Sequence, residues 1–447
     1  MPLNYARPHG RQITLELSRV SHASGHPDKG PILVNPGGPG ASGLGLAAQL
    51  AAAVPGGVGR DYDWIGWDPR GVGASRPQVH CTAGYFAGPR RSYVPTSHRL
   101  LHYWKARARR YAYSCGRDKP LLRHLTTVDS ARDMESIRRA LGASKISFYG
   151  YSYGSYLGQV YSTLYPRHLK RMVLDSNVDP RRVWYDANLD QDRAFDRTIA
   201  YYFRWVARHH DVWHLGSTTK HVRHRYYHDL GRLRRHPRGQ LGSDEYADAF
   251  QQAAYYQSTW ETLTAAWRAL DHGRPAAMRQ QWIAADRPYS ANNDFAVYNA
   301  VQCADAPWPK RWSTWQRDNE RMYRAHPFLT WGNAWINAPC HYWLVPPRRP
   351  ITINGKHTRS ALLIDETLDA ATPYEGSLEV RRLYPHSRLI AEPGGTTHAD
   401  SLNGDRCVDD KIAAYLKSGT LPKRRAGNRA DATCRPLPQP NPKADGY

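Results

Sequence analysis

One short stretch, GYSYG at residues 150–154, restricts the fold of this 447-residue chain more than any other. The apolar residues 146–149 before it predict a buried strand, and the residues after it can form a helix. A tight strand-to-helix turn needs small flanking residues, and it lifts the serine oxygen above the sheet edge at a helix N-terminus, where negative charge is favoured. Ser152 is therefore predicted to be a catalytic nucleophile rather than a helix cap. Ser155, one turn further on, lacks the glycine frame.

Strand-like and helix-like segments alternate in the first part of the chain and again near its end. Further strands are predicted at residues 13–17, 32–35, 62–67, 172–174, 361–364 and 387–391. Strands that alternate with helices indicate a mostly parallel sheet with helices on both faces, an α/β fold. Residues 179–350 have few strand-like runs and carry 12 of the 15 tryptophans, which predicts a helical cap insertion. The core would then consist of residues 1–178 and 351–447, ending in a Pro-rich tail that is loose unless Cys434 fixes it.

A serine nucleophile needs a base to accept its proton and an acid to orient that base. On a sheet of this kind the chain order is serine, acid, histidine. His398 follows the strand predicted at 387–391 and Asp369 follows the strand predicted at 361–364, so both should reach the same carboxyl edge as Ser152. Three other acids follow strands at that edge and remain alternatives to Asp369: Asp365, Glu366 and Asp175.

The tetrahedral intermediate of acyl transfer needs two backbone donors for its oxyanion. The N–H of Tyr153, directly after the serine, is one candidate. The second is expected from the NPGGPG turn after residues 32–35, where glycine lets the backbone approach the substrate closely. Gly37 and Gly38 both qualify, and Gly38 is our choice.

The chain is strongly basic, with 62 Lys and Arg against 39 Asp and Glu, a net charge of +23. Such a charge is typical of proteins that bind polyanions, but the arginines are spread along the chain and no nucleic-acid-binding motif is present. His221, His224 and His228 have helical spacing yet no carboxylate partner, which favours a solvated basic helix over a metal site. We therefore predict no specific nucleic-acid partner, no metal and no cofactor. No apolar run reaches the length of a membrane span.

The six cysteines lie far apart and none forms a C-x-x-C pair, so a zinc site or redox dithiol is not expected. An even number at wide spacing fits three disulfide bonds in an oxidising compartment, although spacing alone leaves the pairing open. Residues 1–20 lack the charged and apolar regions of a signal peptide. We expect a secreted protein whose true start lies upstream of this sequence.

Several longer stretches carry a family resemblance: NPGGPGASG, DWIGWDPRGVGASRP, GYSYGSYLGQVYSTLYPRHLKRMVLDSNVDP, NLDQDRAF and DAATPYEGSLEV. Together they resemble the bacterial secreted tripeptidyl aminopeptidases, serine peptidases of the α/β-hydrolase fold that are related to prolyl iminopeptidases. The resemblance runs over nearly the whole chain and implies a triad of Ser152, Asp369 and His398. It also implies three disulfide bonds that are local in sequence: Cys81–Cys115, Cys303–Cys340 and Cys407–Cys434.

An aminopeptidase binds the free α-ammonium group of its substrate and needs acids in the insertion to do so. Asp305 is the first candidate and Asp190 and Asp192 are weaker ones, while position 302 is Gln where the resemblance leads us to expect Glu. We predict a monomeric serine exopeptidase that acts through an acyl-enzyme on peptides with a free N-terminus and, by resemblance, releases tripeptides. The alternatives are a prolyl iminopeptidase-like aminopeptidase and an esterase or lipase on the same fold. The complete order of Ser, Asp and His argues against a non-catalytic polyanion-binding protein.

Overall fold

A single eight-stranded sheet organises the computed structural model, which describes residues 1–290 and 293–443. Its strands are β1 (Leu17–Val20), β2 (Pro31–Asn35), β3 (Asp63–Trp67), β4 (Ile146–Tyr151), β5 (Leu169–Asp175), β6 (Ala361–Glu366), β7 (Ser387–Glu392) and β8 (Ala432–Thr433). Their order across the sheet is β1-β3-β2-β4-β5-β6-β7-β8. The β1–β3 pair is antiparallel and the other six pairs are parallel. The loops after β2, β4, β5, β6 and β7 therefore meet at one edge of the sheet.

Helices surround this sheet. In the described residues the first five are α1 (Leu46–Ala53), α2 (His98–Cys115), α3 (Lys119–Leu122), α4 (Thr127–Ala140) and α5 (Tyr153–Leu164). Nine follow between β5 and β6: α6 (Tyr185–Arg208), α7 (His210–Trp213), α8 (Thr219–Arg235), α9 (Ser243–Tyr255), α10 (Trp260–Asp271), α11 (Ala276–Ser290), α12 (Asn293–Asp305), α13 (Trp312–Ala325) and α14 (Thr330–Asn337). The last two are α15 (Glu375–Leu383) and α16 (Arg406–Ser418). Short 3-10 helices occupy Pro55–Asp61, Gly116–Asp118, Pro166–His168, Gln257–Thr259 and Ala338–Tyr342.

Neighbouring residues of β4 pack on opposite faces of the sheet. Phe148 belongs to the hydrophobic cluster that includes Leu157 of α5, whereas Tyr149 belongs to the cluster that includes Leu50 of α1 and Ile412 of α16. All six residues of β4 are buried, because helices cover both faces of the sheet. The α/β-hydrolase fold predicted from the sequence is confirmed.

The segment between β5 and β6, residues 176–360, is called the helical insertion below. It contains α6–α14 and has a hydrophobic core of its own, in which Trp205, Trp213, Trp260 and Trp267 are fully buried. A chain of this length exceeds what one core can organise, and large aromatic rings fill the space between the helices. With Trp282 this core holds five of the twelve tryptophans of the middle segment; Trp184, Trp308 and Trp315 pack in the cluster that includes Phe148 of the sheet instead.

Hydrogen bonds fix the helical insertion over the carboxyl edge of the sheet. The bonds join α6 and α9 to the loops that follow β6 and β7. The pairs are Gln191 Nε2 to Ala371 O at 2.7 Å, Thr198 Oγ1 to Leu368 O at 2.7 Å, and His398 N to Tyr255 O at 2.8 Å. The insertion therefore contacts the two loops that carry Asp369 and His398.

The first strand lies later than the sequence pattern predicts. Residues 13–17 alternate in hydrophobicity, but β1 begins only at Leu17. Thr14 exchanges two backbone hydrogen bonds with Arg76, each of 2.8 Å, so this segment pairs with a loop rather than with the sheet.

The Pro-rich tail is held at several points. β8 pairs with β7, and Cys434 directly after it is bonded to Cys407 of α16. Beyond that bond, the carbonyl of Leu437 accepts from Gln257 Nε2 at 3.0 Å and the carbonyl of Pro440 accepts from Trp205 Nε1 at 2.9 Å. The tail, residues 435–443, thus connects the sheet to the helical insertion.

The three disulfide bonds are those that the family resemblance implies, Cys81–Cys115, Cys303–Cys340 and Cys407–Cys434. Each closes a loop of 27 to 37 residues. Across the described ranges, no helix combines the length and the apolar character that crossing a bilayer requires.

Candidate active site

Ser152 lies on a strained turn between β4 and α5. Its φ of 56° and ψ of −123° are unusual for a residue with a side chain. Its N–H donates to Asp175 O at 2.9 Å, which fixes the turn against the end of β5. Ser155 is fully buried, and its hydroxyl donates to Ser152 O at 2.6 Å and accepts from Val178 N at 2.9 Å. Of the two serines, Ser152 alone lines a cavity.

Glycines around Ser152 are required by close backbone contacts. A Cβ atom at Gly150 would lie 2.5 Å from Gly154 O, and one at Gly154 would lie 2.7 Å from Asn35 O. Gly37, with a φ of +101°, approaches so closely that its Cβ would lie 2.9 Å from Ser152 Cβ. Real Cβ atoms do not approach other atoms within these distances, so larger residues would displace the turn.

His398 and Asp369 form a buried pair at the same edge. His398 Nδ1 lies 2.8 Å from Asp369 Oδ2, and both side chains are buried. The ring is further oriented by the ring of Tyr255, which meets it edge-on at a centroid distance of 5.6 Å. Ala399 N donates to Ser176 Oγ at 2.8 Å, so the histidine loop rests on the same 175–176 segment that holds Ser152.

Thr372, which sequence reasoning missed, supports Asp369. Its hydroxyl donates to Asp369 Oδ2 at 2.7 Å, and the backbone N–H groups of Ala371 and Thr372 donate to Oδ1 at 2.8 and 3.1 Å. Burial disfavours the charged carboxylate, but His398 and these donors outweigh it and lower the pKa of Asp369. Burial also favours the neutral ring of His398, yet the charge of Asp369 raises the pKa of His398.

The other three candidate acids have different partners. Asp175 accepts from Ser401 N at 2.9 Å, Asp365 from the hydroxyl of Ser377, and Glu366 from the backbone N–H of Thr397. Burial raises the pKa of Asp175 to about 6 and the pKa of Glu366 to about 9. Asp369 is thus the acid that the structure brings into contact with His398.

Two backbone N–H groups belong to residues that line the same cavity as Ser152, those of Gly38 and Tyr153. Gly38 is exposed, lines the cavity together with Ser152 and Tyr153, and its N–H has no acceptor among the described residues. Gly37 is buried and its N–H already donates to Asn35 Oδ1 at 3.0 Å. Tyr153 is the first residue of α5, so its N–H lacks a partner within the helix. This difference favours Gly38 over Gly37 as the second oxyanion donor.

A cavity of about 840 Å³ lies above Ser152. The loops at the sheet edge form its floor, and α6, α9, α12 and α14 of the helical insertion form its walls and roof. Its apolar lining includes Val178, Trp184, Phe195, Leu329 and Ile336. A space of this kind can hold a short peptide whose scissile carbonyl rests on Ser152.

The proposed ammonium-binding acids are placed differently from one another. Asp305 does not line the cavity; its carboxylate accepts from Thr127 N at 2.8 Å and from the Thr127 hydroxyl, and burial raises its pKa to about 7. Asp192 is buried behind Asn333, whose Nδ2 lies 3.0 Å from its Oδ1. Asp190 does line the cavity but is paired with two arginines.

Gln302 also lines the cavity and is 6% exposed. Its Oε1 is buried without a hydrogen-bond partner in the described structure. A buried carbonyl oxygen without a donor is destabilising, so a ligand N–H at this point would be favoured.

His221, His224 and His228 lie exposed on α8 and are not among the residues that line the cavity. Glu375, by contrast, lines the cavity and was not singled out by the sequence. The sequence could have indicated Glu375 through its position six residues after Asp369, in the segment that follows β6 at the edge of the sheet.

Comparison with known proteins gives a consistent set of relatives. A family model described as TAP-like protein matches residues 326–434. The chain is 38% identical to the tripeptidyl aminopeptidase of Streptomyces lividans, over 99% of this chain and 84% of that protein. It is 30% identical to the serine protease Hip1 of Mycobacterium tuberculosis, over 94% of this chain and 85% of that protein. It is also 31% identical to the carboxylesterase B of the same organism, over 94% of this chain and 84% of that protein.

Proposed function

Since this chain belongs to the tripeptidyl aminopeptidase family, we propose that it is a serine exopeptidase that releases tripeptides from the free N-termini of peptides. The observation that carries the proposal is the buried Asp369–His398 pair, 2.8 Å apart, on loops at the same sheet edge as Ser152, which occupies a strained turn and lines a cavity of about 840 Å³. These are the parts that acyl transfer through an activated serine needs.

In the proposed mechanism Ser152 attacks the scissile carbonyl and His398 accepts its proton. Asp369 orients the ring through Nδ1 and stabilises the imidazolium that forms. The N–H groups of Gly38 and Tyr153 bind the oxyanion. His398 then donates its proton to the leaving amine, and water hydrolyses the acyl-enzyme with His398 as base. In that second step His398 accepts a proton from the water and returns it to Ser152 Oγ as the acyl–oxygen bond breaks.

The roof formed by the helical insertion supports exopeptidase action. We propose that residues 179–350, the larger part of the helical insertion, form a cap over a core made of residues 1–178 and 351–447. Folded proteins cannot enter a cavity of about 840 Å³, whereas an extended end of a chain can. Three extended residues span about 10 Å, which is compatible with a cavity of this volume.

An esterase remains the second candidate, because carboxylesterase B of M. tuberculosis is 31% identical over most of both chains. An esterase on this fold would use the same triad. A prolyl iminopeptidase-like enzyme would also use it but would release one residue at a time. Neither an esterase nor an endopeptidase has a use for a subsite that binds an ammonium group.

We also propose that the protein is secreted and acts as a monomer. Three disulfide bonds support an oxidising compartment, since disulfides persist mainly outside the cytosol. Peptides with free N-termini are the proposed partners. Intact mass with and without reduction, measured on protein isolated from its native source, tests the compartment: six free thiols would contradict it.

The function is tested with p-nitroanilides of Ala, Ala-Pro and Ala-Ala-Pro, the last one both as free amine and N-acetylated. We expect fast release only from the free tripeptide. Equal release from the acetylated form would favour an esterase or endopeptidase, and fastest release from the single residue would favour an iminopeptidase. Ser152→Ala should remain folded by circular dichroism and lose activity about a thousandfold or more. Retention of the parent rate by this variant would exclude Ser152 as the nucleophile.

A further inference from the structure

Three carboxylates line the cavity: Asp179, Asp190 and Glu375. Two of them are already neutralised. Asp179 accepts from Arg181 through both oxygens, at 3.0 Å from Nε and 2.7 Å from Nη2. Asp190 accepts from Arg182 at 2.7 and 3.1 Å and from Arg193 at 2.7 Å.

Glu375 makes no ion pair and no side-chain hydrogen bond with the described residues. Arg181, which also lines the cavity, is engaged by Asp179 and by Glu379. Glu375 is therefore the lining carboxylate whose charge is still available to a ligand. From this we infer that Glu375 binds the α-ammonium group of the substrate; the inference rests on the exopeptidase function proposed above.

The place of Glu375 agrees with this role. The loop after β6 runs along α6, with Leu368 bonded to Thr198 and Ala371 bonded to Gln191. These two contacts are seven residues apart on α6, about 10 Å along its axis. Glu375 is next to Gly376, which packs against the backbone of Asp179 shortly before α6, so Glu375 lies toward the N-terminal end of α6.

The leaving group of the substrate is expected on the side of the cavity near His398, away from Glu375. His398 must face the leaving amine to protonate it. Its ring contacts Tyr255, and the ring of Tyr255 contacts Phe195 of α6 at a centroid distance of 4.9 Å. Phe195 lies four residues beyond Gln191 along α6, on the side away from Glu375. The acyl part of the substrate, with its N-terminus, then extends toward Glu375.

The backbone holds Glu375 in a defined position. It is the first residue of α15, and Gly376 after it packs against Asn177 O and Asp179 N, where a Cβ would lie 2.6 and 3.0 Å away. Residues 175–179 also bind the N–H of Ser152 through Asp175 O. One segment thus fixes both the nucleophile and the proposed ammonium site.

The cavity as a whole does not attract cations, because Arg181, Arg182, Arg193 and Arg197 line it beside the three carboxylates. The enzyme must therefore select an ammonium group through direct contact with the one carboxylate that makes no ion pair, and not through the net electrostatic potential of the cavity. A charge-assisted hydrogen bond that the bound peptide shields from water would supply that contact.

The test compares Glu375→Gln with Glu320→Gln, a matched change at an exposed glutamate of α13 outside the cavity. The substrates are Ala-Ala-Pro p-nitroanilide and its propionyl-Ala-Pro analogue, which differs only in lacking the amine. We expect the KM of Glu375→Gln for the free amine to rise about tenfold, with kcat within about twofold. Its KM for the propionyl analogue should not change, and Glu320→Gln should match the parent for both substrates.

An unchanged KM for the free amine, or an equal rise for both substrates, would overturn the inference. If Gln302→Leu, and not Glu375→Gln, abolished the preference for the free amine, the ammonium site would lie at Gln302 instead. Equal turnover of both substrates by the parent would refute the exopeptidase function itself, a separate result.

A binding measurement does not depend on turnover. Calorimetry of the tripeptide Ala-Ala-Pro with Ser152→Ala, alone and combined with Glu375→Gln, should show about tenfold weaker binding in the double variant. Equal affinities would overturn the inference even if the kinetic data were ambiguous.

Discussion

Thr372 provides a test of how Asp369, the acid of the proposed triad, is stabilised as a carboxylate. Its hydroxyl donates to Asp369 Oδ2 at 2.7 Å, the oxygen that also lies 2.8 Å from His398 Nδ1. Thr372→Val removes this donor and keeps the shape of the side chain. The carboxylate then attracts the imidazolium form more strongly. The pKa of His398, which burial lowers but Asp369 raises more, should therefore rise further.

The magnitude follows from the lost bond. A hydrogen bond to a charged group contributes about 1.5–3 kcal/mol, which is the upper limit of what the imidazolium can gain. About 1.4 kcal/mol corresponds to a factor of ten, and the base must be neutral to act. We therefore expect kcat/KM of Thr372→Val to fall about tenfold at a pH on the acid limb of the profile, and by less than about threefold on the alkaline plateau.

The assay is the pH profile of kcat/KM for Ala-Ala-Pro p-nitroanilide in the parent, Thr372→Val and Thr372→Ser. Activity should decline as the pH falls through the raised pKa of His398, and Thr372→Val should decline first, at higher pH. Thr372→Ser retains the hydroxyl and should follow the parent. A loss of equal size at every pH, or an acid limb moved to lower pH, would refute the reasoning.

Three further changes test other parts of the structure. Gly37→Ala should lower kcat/KM by about a hundredfold and the free energy of unfolding by about 1–3 kcal/mol, because its Cβ would collide with Ser152. Gly30→Ala is the control, since Gly30 has a φ of +80° and open space around it. Equal effects of the two changes would contradict a close contact between Gly37 and Ser152. Replacing Cys407 and Cys434 by Ser opens a 27-residue loop and should cost about 3.5 kcal/mol in urea unfolding, so unchanged stability would show that the bond is not formed. Truncation after Arg435 removes the tail contacts with Gln257 and Trp205. It should lower Tm by a few degrees relative to truncation after Lys443. Equal Tm values would mean that the tail does not stabilise the helical insertion.

The sequence was sufficient to predict the features that depend on local pattern. The apolar run at residues 146–149 and the glycines at 150 and 154 predict β4, the turn and α5, because burial on both faces and a tight turn restrict the residue types directly. The choice among Asp175, Asp365, Glu366 and Asp369 could not be made from spacing. All four lie at or just beyond the carboxyl ends of strands at one edge, and only the folded loops decide which carboxyl contacts His398.

Other features depend on contacts between distant parts of the chain. Glu375 and Asp190 both line the cavity. Only the folded structure shows that Arg182 and Arg193 pair with Asp190, whereas no arginine pairs with Glu375 in the described residues. The same holds for the tail, whose composition predicts a loose end. Its acceptors for Gln257 and Trp205 lie about 180 and 235 residues away along the chain.

The tail has a consequence for the order in which the enzyme matures. Domains fold during synthesis from the N-terminus onward. Yet three parts of the structure lie after residue 360: strands β6–β8, His398, and the tail carbonyl of Pro440 that accepts from Trp205. Strand β6, which pairs with β5, is separated from it by 185 residues. Pairing between strands so far apart in sequence forms slowly. A growing chain therefore carries Ser152 before His398, its proposed base, has been synthesised.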